Sequence, residues 1–213
     1  MANYMLSNYV IEGDKTELDE FEAMLRQLEA MEEKDFPIKD ISWGTKWLGF
    51  VVNELGEDYT EFNCKGCWNN LKRRSDGVMS IDMDSAWWPP EDLIELIADK
   101  WNSFQFYFYR EELGNGVFET NDVDGKYFPQ RYHLFSYVPI KGEKDKEEFV
   151  EFEEYLNSED EVIAFVNDTL HHPVTSLADI ESWDNELQAL NEEKEDDEDW
   201  EECFIYVNEI DVL

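Results

Sequence analysis

The chain combines an extreme negative charge with the apolar content of a folded protein. It has 53 Asp and Glu residues against 17 Lys and Arg, which gives a formal net charge of −36. Disordered acidic tails are poor in aromatic residues, whereas this chain of 213 residues contains eight Trp, ten Tyr and fourteen Phe. Because 42% of its residues are hydrophobic, the chain can bury a substantial core. We therefore predict a globular protein with a strongly acidic surface.

Three explanations of this charge compete. The first is a surface that serves solvation alone, although solubility of a small domain needs a net charge of magnitude only about 2–8. The second is halophilic adaptation, which is disfavoured because Lys is not depleted in favour of Arg. The third is that the acidic surface binds a basic partner. We favour the third, because it gives a reason for tolerating the repulsion that so much charge imposes on the compact state.

The sequence indicates where such a protein resides. Its first twenty residues lack the basic region and the continuous apolar region of a signal peptide. No stretch approaches the roughly 20 apolar residues needed to span a bilayer, and anionic lipids repel an acidic surface. The three cysteines form no disulfide framework. We predict a cytoplasmic protein with no membrane partner.

The charge is distributed unevenly along the chain. Residues 143–213 hold 26 Asp and Glu against three Lys and Arg, so most of the excess lies in the last third. We predict a boundary near Gly142 between two units. Residues 1–142 form an α+β domain, and residues 143–213 form an acidic, mainly helical subdomain that ends in a strand, Cys203–Leu213.

The first domain alternates strand and helix patterns. Apolar residues from Leu18 to Leu28 recur at helical spacing and predict a helix over residues 17–33, with Thr16 as its N-cap. The remaining predicted elements are strands over residues 5–12, 38–50, 77–85 and 104–109, a helix over 90–100, and further β-structure over 117–137. This order (βαββαβ) is typical of a ferredoxin-like α+β fold.

The acidic subdomain shows patterns that favour helices. Phe149, Phe152 and Leu156 predict one amphipathic helix. Ser158 followed by Glu161 predicts the capping box of a second helix. A third helix is predicted where apolar residues recur at the same spacing from Ile180 to Leu190.

Two tryptophan motifs in the first domain carry a resemblance. They are WGTKW (Trp43–Trp47) and SAWWPP (Ser85–Pro90), and they occur with Ala2-Asn3, with Gly13-Asp14 ahead of Leu18–Phe21, and with a Tyr-x-Glu-Glu element of Tyr109, Glu111 and Glu112. In these motifs, over roughly residues 1–135, the chain resembles the YubB-like ferredoxin-fold family of phages, plasmids and other mobile elements. It departs from that pattern at Lys65–Ser75 and in the acidic last third. The resemblance implies a fold and a mobile-element setting, and it supplies no catalytic residues.

No motif indicates a metal site or a catalytic site. Cys64 and Cys67 form a CxxC pair, but a closed zinc site needs four ligands, and the other candidates (Cys203, His133 and His171-His172) are distant in sequence. The chain contains no GxSxG, HExxH, P-loop or GxGxxG motif. We predict no metal, no cofactor and no enzyme activity, with an enzyme that uses an unrecognised site as a remaining alternative.

Direct nucleic-acid binding is also disfavoured. It requires Lys and Arg side chains that neutralise phosphates, and Lys72-Arg73-Arg74 is the sole basic cluster in a chain of net charge −36. Ion pairs within the protein are the better explanation of that cluster.

The acidic segment, residues 192–202 (EEKEDDEDWEE), has nine carboxylates among eleven residues. A solvated linker is one interpretation, but Trp200 lies inside the segment and both flanks are apolar. Such carboxylate density imitates nucleic acid, so our leading hypothesis is a nucleic-acid mimic that inhibits a host defence protein, such as a CRISPR effector or a restriction system. The predicted partner-binding residues are Glu192, Glu193, Glu195, Asp196, Asp197, Glu198, Asp199, Trp200, Glu201, Glu202 and Trp88.

The alternative hypothesis is a module that binds a peptide or a small ligand in an aromatic cleft, with the acidity serving solubility only. Trp43, Trp47, Trp87 and Trp88 are the candidates for that cleft, although core positions between the sheet and the helices explain them more simply. Neighbouring residues of an extended segment face opposite sides. One of Trp87 and Trp88 is therefore predicted to be exposed.

Overall fold

The computed structural model describes residues 3–32, 38, 43–141, 147–194 and 201–213. These residues belong to two units, one of Met1–Phe128 with Val212–Leu213 and one of Pro129–Asp211. The division thus follows Phe128, whereas the change in charge predicted it near Gly142. It lies earlier because the strand that begins at Tyr132 pairs with later strands of the second unit.

Five α-helices and nine strands occur in the described residues. The helices are α1 (Lys15–Glu29), α2 (Leu48–Glu54), α3 (Glu91–Lys100), α4 (Glu159–Asp168) and α5 (Leu177–Lys194). The strands are β1 (Tyr4–Glu12), β2 (Gly66–Ser75), β3 (Val78–Ala86), β4 (Gln105–Glu112), β5 (Val117–Thr120), β6 (Tyr132–Lys141), β7 (Glu147–Leu156), β8 (Phe204–Glu209) and β9 (Asp211–Val212). The predicted α+β class is therefore confirmed. None of the helices in the described ranges is both long and apolar enough to cross a membrane.

The first unit contains a six-stranded sheet in the order β2-β3-β1-β4-β5-β9. β1 lies between β3 and β4 and pairs antiparallel with both, so that Tyr9 is opposite Ile81 on one side and Phe108 on the other. Tyr9, Ile11 and Ile81 are buried in one cluster with apolar residues of α1, α2 and α3. The helices therefore cover one face of this sheet.

The amphipathic pattern of α1 is confirmed, and its start differs from the prediction. Leu18, Phe21, Leu25 and Leu28 are all buried against the sheet. The N-cap is Asp14, with extended φ and ψ angles, so the predicted cap, Thr16, lies inside the first turn. The helix begins earlier because Asp14 O already accepts the first helical hydrogen bond, from Leu18 N at 3.0 Å.

The strand predicted over residues 38–50 is wrong where the structure describes that range. Gly44–Lys46 form a 3₁₀ turn and Leu48–Glu54 form α2. Five consecutive residues of α2, Leu48 to Val52, are buried, so the helix has no polar face that would show in the sequence. The second strand of the sheet is instead β2, in a part of the chain for which no element was predicted.

The second unit is not mainly helical, contrary to prediction. It contains a three-stranded sheet in the order β7-β6-β8 together with α4 and α5. The segment Phe149–Leu156, predicted as a helix, is part of β7 and pairs with β6 throughout. Three apolar residues at helical spacing are a weak signal, and pairing with a neighbouring strand outweighed it. Ser158 does cap α4, since its hydroxyl accepts from Glu161 N at 3.3 Å.

Candidate functional site

The structure describes the two ends of the acidic segment. Glu192 and Glu193 are exposed in the last turn of α5, and Glu201 and Glu202 are exposed immediately before β8. The other predicted residues of the segment, Glu195, Asp196, Asp197, Glu198, Asp199 and Trp200, lie outside the described residues. Trp88 belongs to the first unit. The predicted site residues are therefore divided between the two units.

Both flanks of the acidic segment are anchored in the second unit. Asn191 on α5 donates from Nδ2 to Cys203 O at 2.8 Å and accepts at Oδ1 from Cys203 N at 2.9 Å. Cys203 and Leu187 are buried in the core of this unit. A further bond joins Ile205 N on β8 to Asp184 Oδ1 on α5 at 2.9 Å. The acidic segment thus leaves and re-enters a packed structure.

An aromatic face borders the end of this segment. Phe135 and Tyr137 on β6 lie opposite Tyr206 and Phe204 on β8, and the Phe204 and Tyr206 rings stack with centroids 5.1 Å apart. The Tyr137 hydroxyl donates to the Glu201 carboxylate, which raises the pKa of Tyr137 to about 12. Glu201 is therefore held by a hydrogen bond beside aromatic rings. The sequence gives no local signal of this face, because β6 and β8 are far apart in the chain.

Carboxylates of the second unit far outnumber its cationic side chains. Residues 129–211 contain 26 Asp and Glu against five Lys and Arg, so most of them have no Lys or Arg available to pair with. In the first unit, by contrast, Lys and Arg side chains form ion pairs with nearby carboxylates. Arg73, from the basic cluster, forms an ion pair with Asp19 at 3.1 Å, and Lys46 forms one with Glu29 at 3.0 Å.

A cleft of about 720 Å³ lies in the first unit, where α3 begins beside β4 and β5. Its lining includes Met5, Trp87, Trp88, Arg110, Glu112 and Glu119. The register places Arg110 opposite Glu119 and Glu112 opposite Val117, so Arg110, Glu112 and Glu119 share one face of the sheet. This cleft holds two of the four tryptophans that sequence analysis considered. Trp47 is buried in the core, and Trp43 is half-buried against it.

Trp87 and Trp88 are both exposed, at 52% and 74% of their surfaces, whereas the sequence predicted that one of the two would be. Trp87 has a φ angle of +73°, which is unusual and strained for a bulky residue. The backbone is fixed in spite of that exposure. Trp87 N donates to Asn3 O at 2.9 Å, and Trp88 O accepts from Asn63 Nδ2 at 3.0 Å and from Ser85 Oγ at 2.7 Å. The protein thus holds two large apolar rings in contact with solvent.

Arg110 crosses the floor of the cleft and is 7% exposed. Its Nη1 contacts Glu91 Oε1 at 2.7 Å and its Nε contacts Glu119 Oε2 at 2.6 Å. Burial lowers the pKa of Arg110, but the hydrogen bonds to Glu91 and Glu119 outweigh burial and raise it overall. The guanidinium is therefore charged and already engaged with two carboxylates.

Glu112 is the least expected residue of the cleft, because it is 3% exposed. Its Oε1 accepts from Gly114 N at 3.0 Å, whereas Oε2 has no hydrogen-bond partner among the described residues. Glu112 is not among the site residues predicted from the sequence. The signal that it offered was the Tyr-x-Glu-Glu element, which was used only for the family resemblance.

Cys64, Cys67 and His172 show no arrangement that points to metal binding or catalysis. Burial and the nearby Asp92 raise the pKa of the buried Cys64 thiol to about 11, and burial also raises that of Cys67. In the described ranges, no three His, Cys, Asp or Glu side chains are grouped so that they could hold a metal ion. The His172 ring stacks on Trp183 with the two centroids 3.9 Å apart.

Comparison with known proteins gives no match. No protein-family model matches the chain, and no curated protein or solved structure matches it. The resemblance to the YubB-like family therefore stays a prediction.

Proposed function

We propose that this protein is a non-catalytic inhibitor that mimics nucleic acid and binds a basic, nucleic-acid-binding defence protein of a bacterial host, such as a CRISPR effector or a restriction nuclease. The observation that carries the proposal is the anchoring of the acidic segment. Asn191 and Cys203 fasten its two ends to the core of the second unit. Fixed ends favour the interpretation that this segment is a binding surface over the interpretation that it is a solvated linker.

Charge density is the second support. Duplex DNA has one negative charge per roughly 1.7 Å of its axis, and carboxylates along a helix that rises about 1.5 Å per residue approach this density. The acidic segment carries nine carboxylates in eleven residues. Lys and Arg side chains in a nucleic-acid groove attract such a surface at long range. The bound inhibitor then excludes the nucleic acid by occupying the groove.

The fold proposal is more specific than the α+β class. In the first unit, β1 and β2 flank β3, and β3 and β4 flank β1. With α1 and α2 between β1 and β2, and with α3 between β3 and β4, this order supports a ferredoxin-like unit with added strands. Such a unit agrees with the YubB-like resemblance and with the mobile-element origin that we propose.

Capture from a bacterial lysate followed by competition tests the function. The immobilised protein should retain a nucleic-acid-binding protein, which duplex DNA or single-stranded RNA should release. Once that protein is purified, the inhibitor should prevent it from binding or cleaving its nucleic acid. A captured protein that binds nucleic acid and this chain simultaneously at full strength would exclude mimicry.

A second function, ligand binding by the aromatic cleft, is favoured by one specific observation. Both Trp87 and Trp88 expose their rings beside the buried carboxylate of Glu112. This arrangement has no use in a purely structural role, because exposed rings do not stabilise a core.

A further inference from the structure

The cleft of the first unit contains a hydrogen-bond acceptor that has no donor among the described residues. Glu112 is almost completely buried, and its Oε2 has no partner among the described residues. A buried carboxylate oxygen that has lost water without gaining a donor destabilises the protein. Glu112 lies on β4 directly across from Val117 and lines the cleft. A donor that enters the cleft is the group that would complete its hydrogen bonding.

The charge of the lining selects a cationic donor. Four carboxylates line the cleft (Glu91, Asp92, Glu112 and Glu119), against the single guanidinium of Arg110. That guanidinium is already engaged with Glu91 and Glu119. A second cation would therefore meet an excess of negative charge, whereas an anion would be repelled.

The exposed tryptophans favour a planar guanidinium over a compact ammonium group. Trp is the aromatic side chain that binds cations best through its ring face, and Trp88 exposes about three quarters of its surface. A guanidinium is planar, stacks on aromatic rings and is more weakly hydrated than an ammonium. It also has several donors, so it can bond Glu112 while other N–H groups reach the neighbouring carboxylates.

We propose that this cleft binds the guanidinium of an arginine side chain that belongs to a polypeptide partner. The guanidinium donates to Glu112 Oε2 and stacks on the exposed indole of Trp88. That the source is a protein rests on the proposed function, which requires a basic protein partner. The chemistry of the cleft stands independently of that function, because it follows from Glu112, Arg110 and the two tryptophans.

Short peptides measured on the whole chain test this proposal. The probes are the acetylated, amidated tripeptide Gly-Arg-Gly, its Lys analogue, its citrulline analogue, and methylguanidinium. The readout is the shift of the Trp87 and Trp88 indole N–H signals in NMR spectra during titration. We expect the Arg peptide to bind, the Lys peptide to bind more weakly, and the neutral, nearly isosteric citrulline peptide to show no saturation.

Matched variants locate the binding in the cleft. Glu112→Gln keeps the size of the side chain and removes its charge, so the affinity for the Arg peptide should fall by about tenfold or more, because a charge-assisted hydrogen bond is lost. Trp88→Ala alters an exposed side chain and should weaken binding without unfolding the protein. Glu95→Gln, an exposed residue of α3 that does not line the cleft, should bind as the unaltered chain does.

Three outcomes would overturn the proposal. They are citrulline bound as tightly as arginine, Glu112→Gln with unchanged affinity, and no shift of either indole at millimolar peptide. Methylguanidinium bound as tightly as the peptide would assign the cleft to a small organic cation instead. Reversing the charges of Glu195 to Asp199 separates the two proposals, since it should abolish capture of the partner protein and leave binding of the tripeptide intact.

Discussion

The side-chain amide of Asn191 forms two hydrogen bonds with the backbone of Cys203. The amide of Asn191 satisfies the backbone N–H and the backbone C=O of Cys203, as a neighbouring strand would. Because these two residues flank the acidic segment, one side chain holds its two ends together. This arrangement gives the acidic segment fixed ends despite the repulsion among its carboxylates.

Replacing Asn191 by Ala should therefore release the segment. We expect a loss of about 1–3 kcal/mol in the free energy of unfolding, since two hydrogen bonds to the backbone of Cys203 are lost, together with weaker binding of the captured partner. Asn185→Ala is the matched control, because the Asn185 side chain is exposed and donates to Glu181 O within the same helix, α5. Urea unfolding of both variants measures the difference. Equal stability of the two would show that the closure contributes nothing.

Charge reversal at Glu195, Asp196, Asp197, Glu198 and Asp199 together should nearly abolish partner binding. If the attraction is charge, its range shrinks with the Debye length, from about 10 Å at 0.1 M salt to about 3 Å at 1 M, so binding to the unaltered protein should also weaken steeply with salt. Single reversals should have small effects, because the field is shared among many carboxylates.

A control variant of the first unit makes the same change in total charge. It reverses Glu54, Glu57, Asp76, Glu95 and Asp99, which are all exposed, and it should retain most of the partner affinity. Equal losses in the two variants would mean that net charge alone matters. Affinity that stays constant from low to high salt would contradict mimicry.

Local periodicity explains which elements the sequence predicted. α1 and α3 have one apolar and one polar face, so their patterns were visible. α2 is buried over Leu48–Val52, and a helix without a polar face has no such pattern. Phe149–Leu156 matched a helical spacing and formed a strand, because pairing with β6 is a long-range contact that the local sequence does not contain.

The candidate sites also divide into those that depend on local sequence and those that depend on long-range contacts. The acidic segment and its anchored flanks were predictable, since charge and apolar flanks are local properties. Glu112 was not predictable as part of a site. Its burial and its unpartnered oxygen depend on where β4 lies against β1 and β5, and among 53 acidic residues no single carboxylate is distinguishable by sequence.

Gly66 should be irreplaceable in β2. A Cβ atom at this position would lie 2.0 Å from Asp84 O on β3, so Gly66→Ala must push apart two paired strands. We expect a loss of about 1–3 kcal/mol in the free energy of unfolding, as for other overpacked sites. Gly77→Ala is the control, because its nearest contact would be an ordinary 3.6 Å to Gly13 O. Thermal or urea unfolding that fails to separate the two variants would contradict the close approach.

The stacked pair of His172 and Trp183 should make stability depend on pH. Burial lowers the pKa of His172 below its ordinary value of 6.5, with Glu186 opposing the shift. The unfolded chain therefore binds a proton at a higher pH than the folded one, and stability is lost as the pH falls from 6.5 through the lowered pKa.

His172→Phe keeps an aromatic ring against Trp183 and removes the titration, so the slope of unfolding free energy against pH in this window should decrease. His171→Asn is the control, because Asn tolerates the positive φ of 55° at that position. Urea unfolding at a series of pH values from 4.5 to 7.5 measures both slopes. An unchanged slope in His172→Phe, with the His171→Asn slope also unchanged, would mean that the stacked imidazole is protonated equally in the folded and unfolded chains.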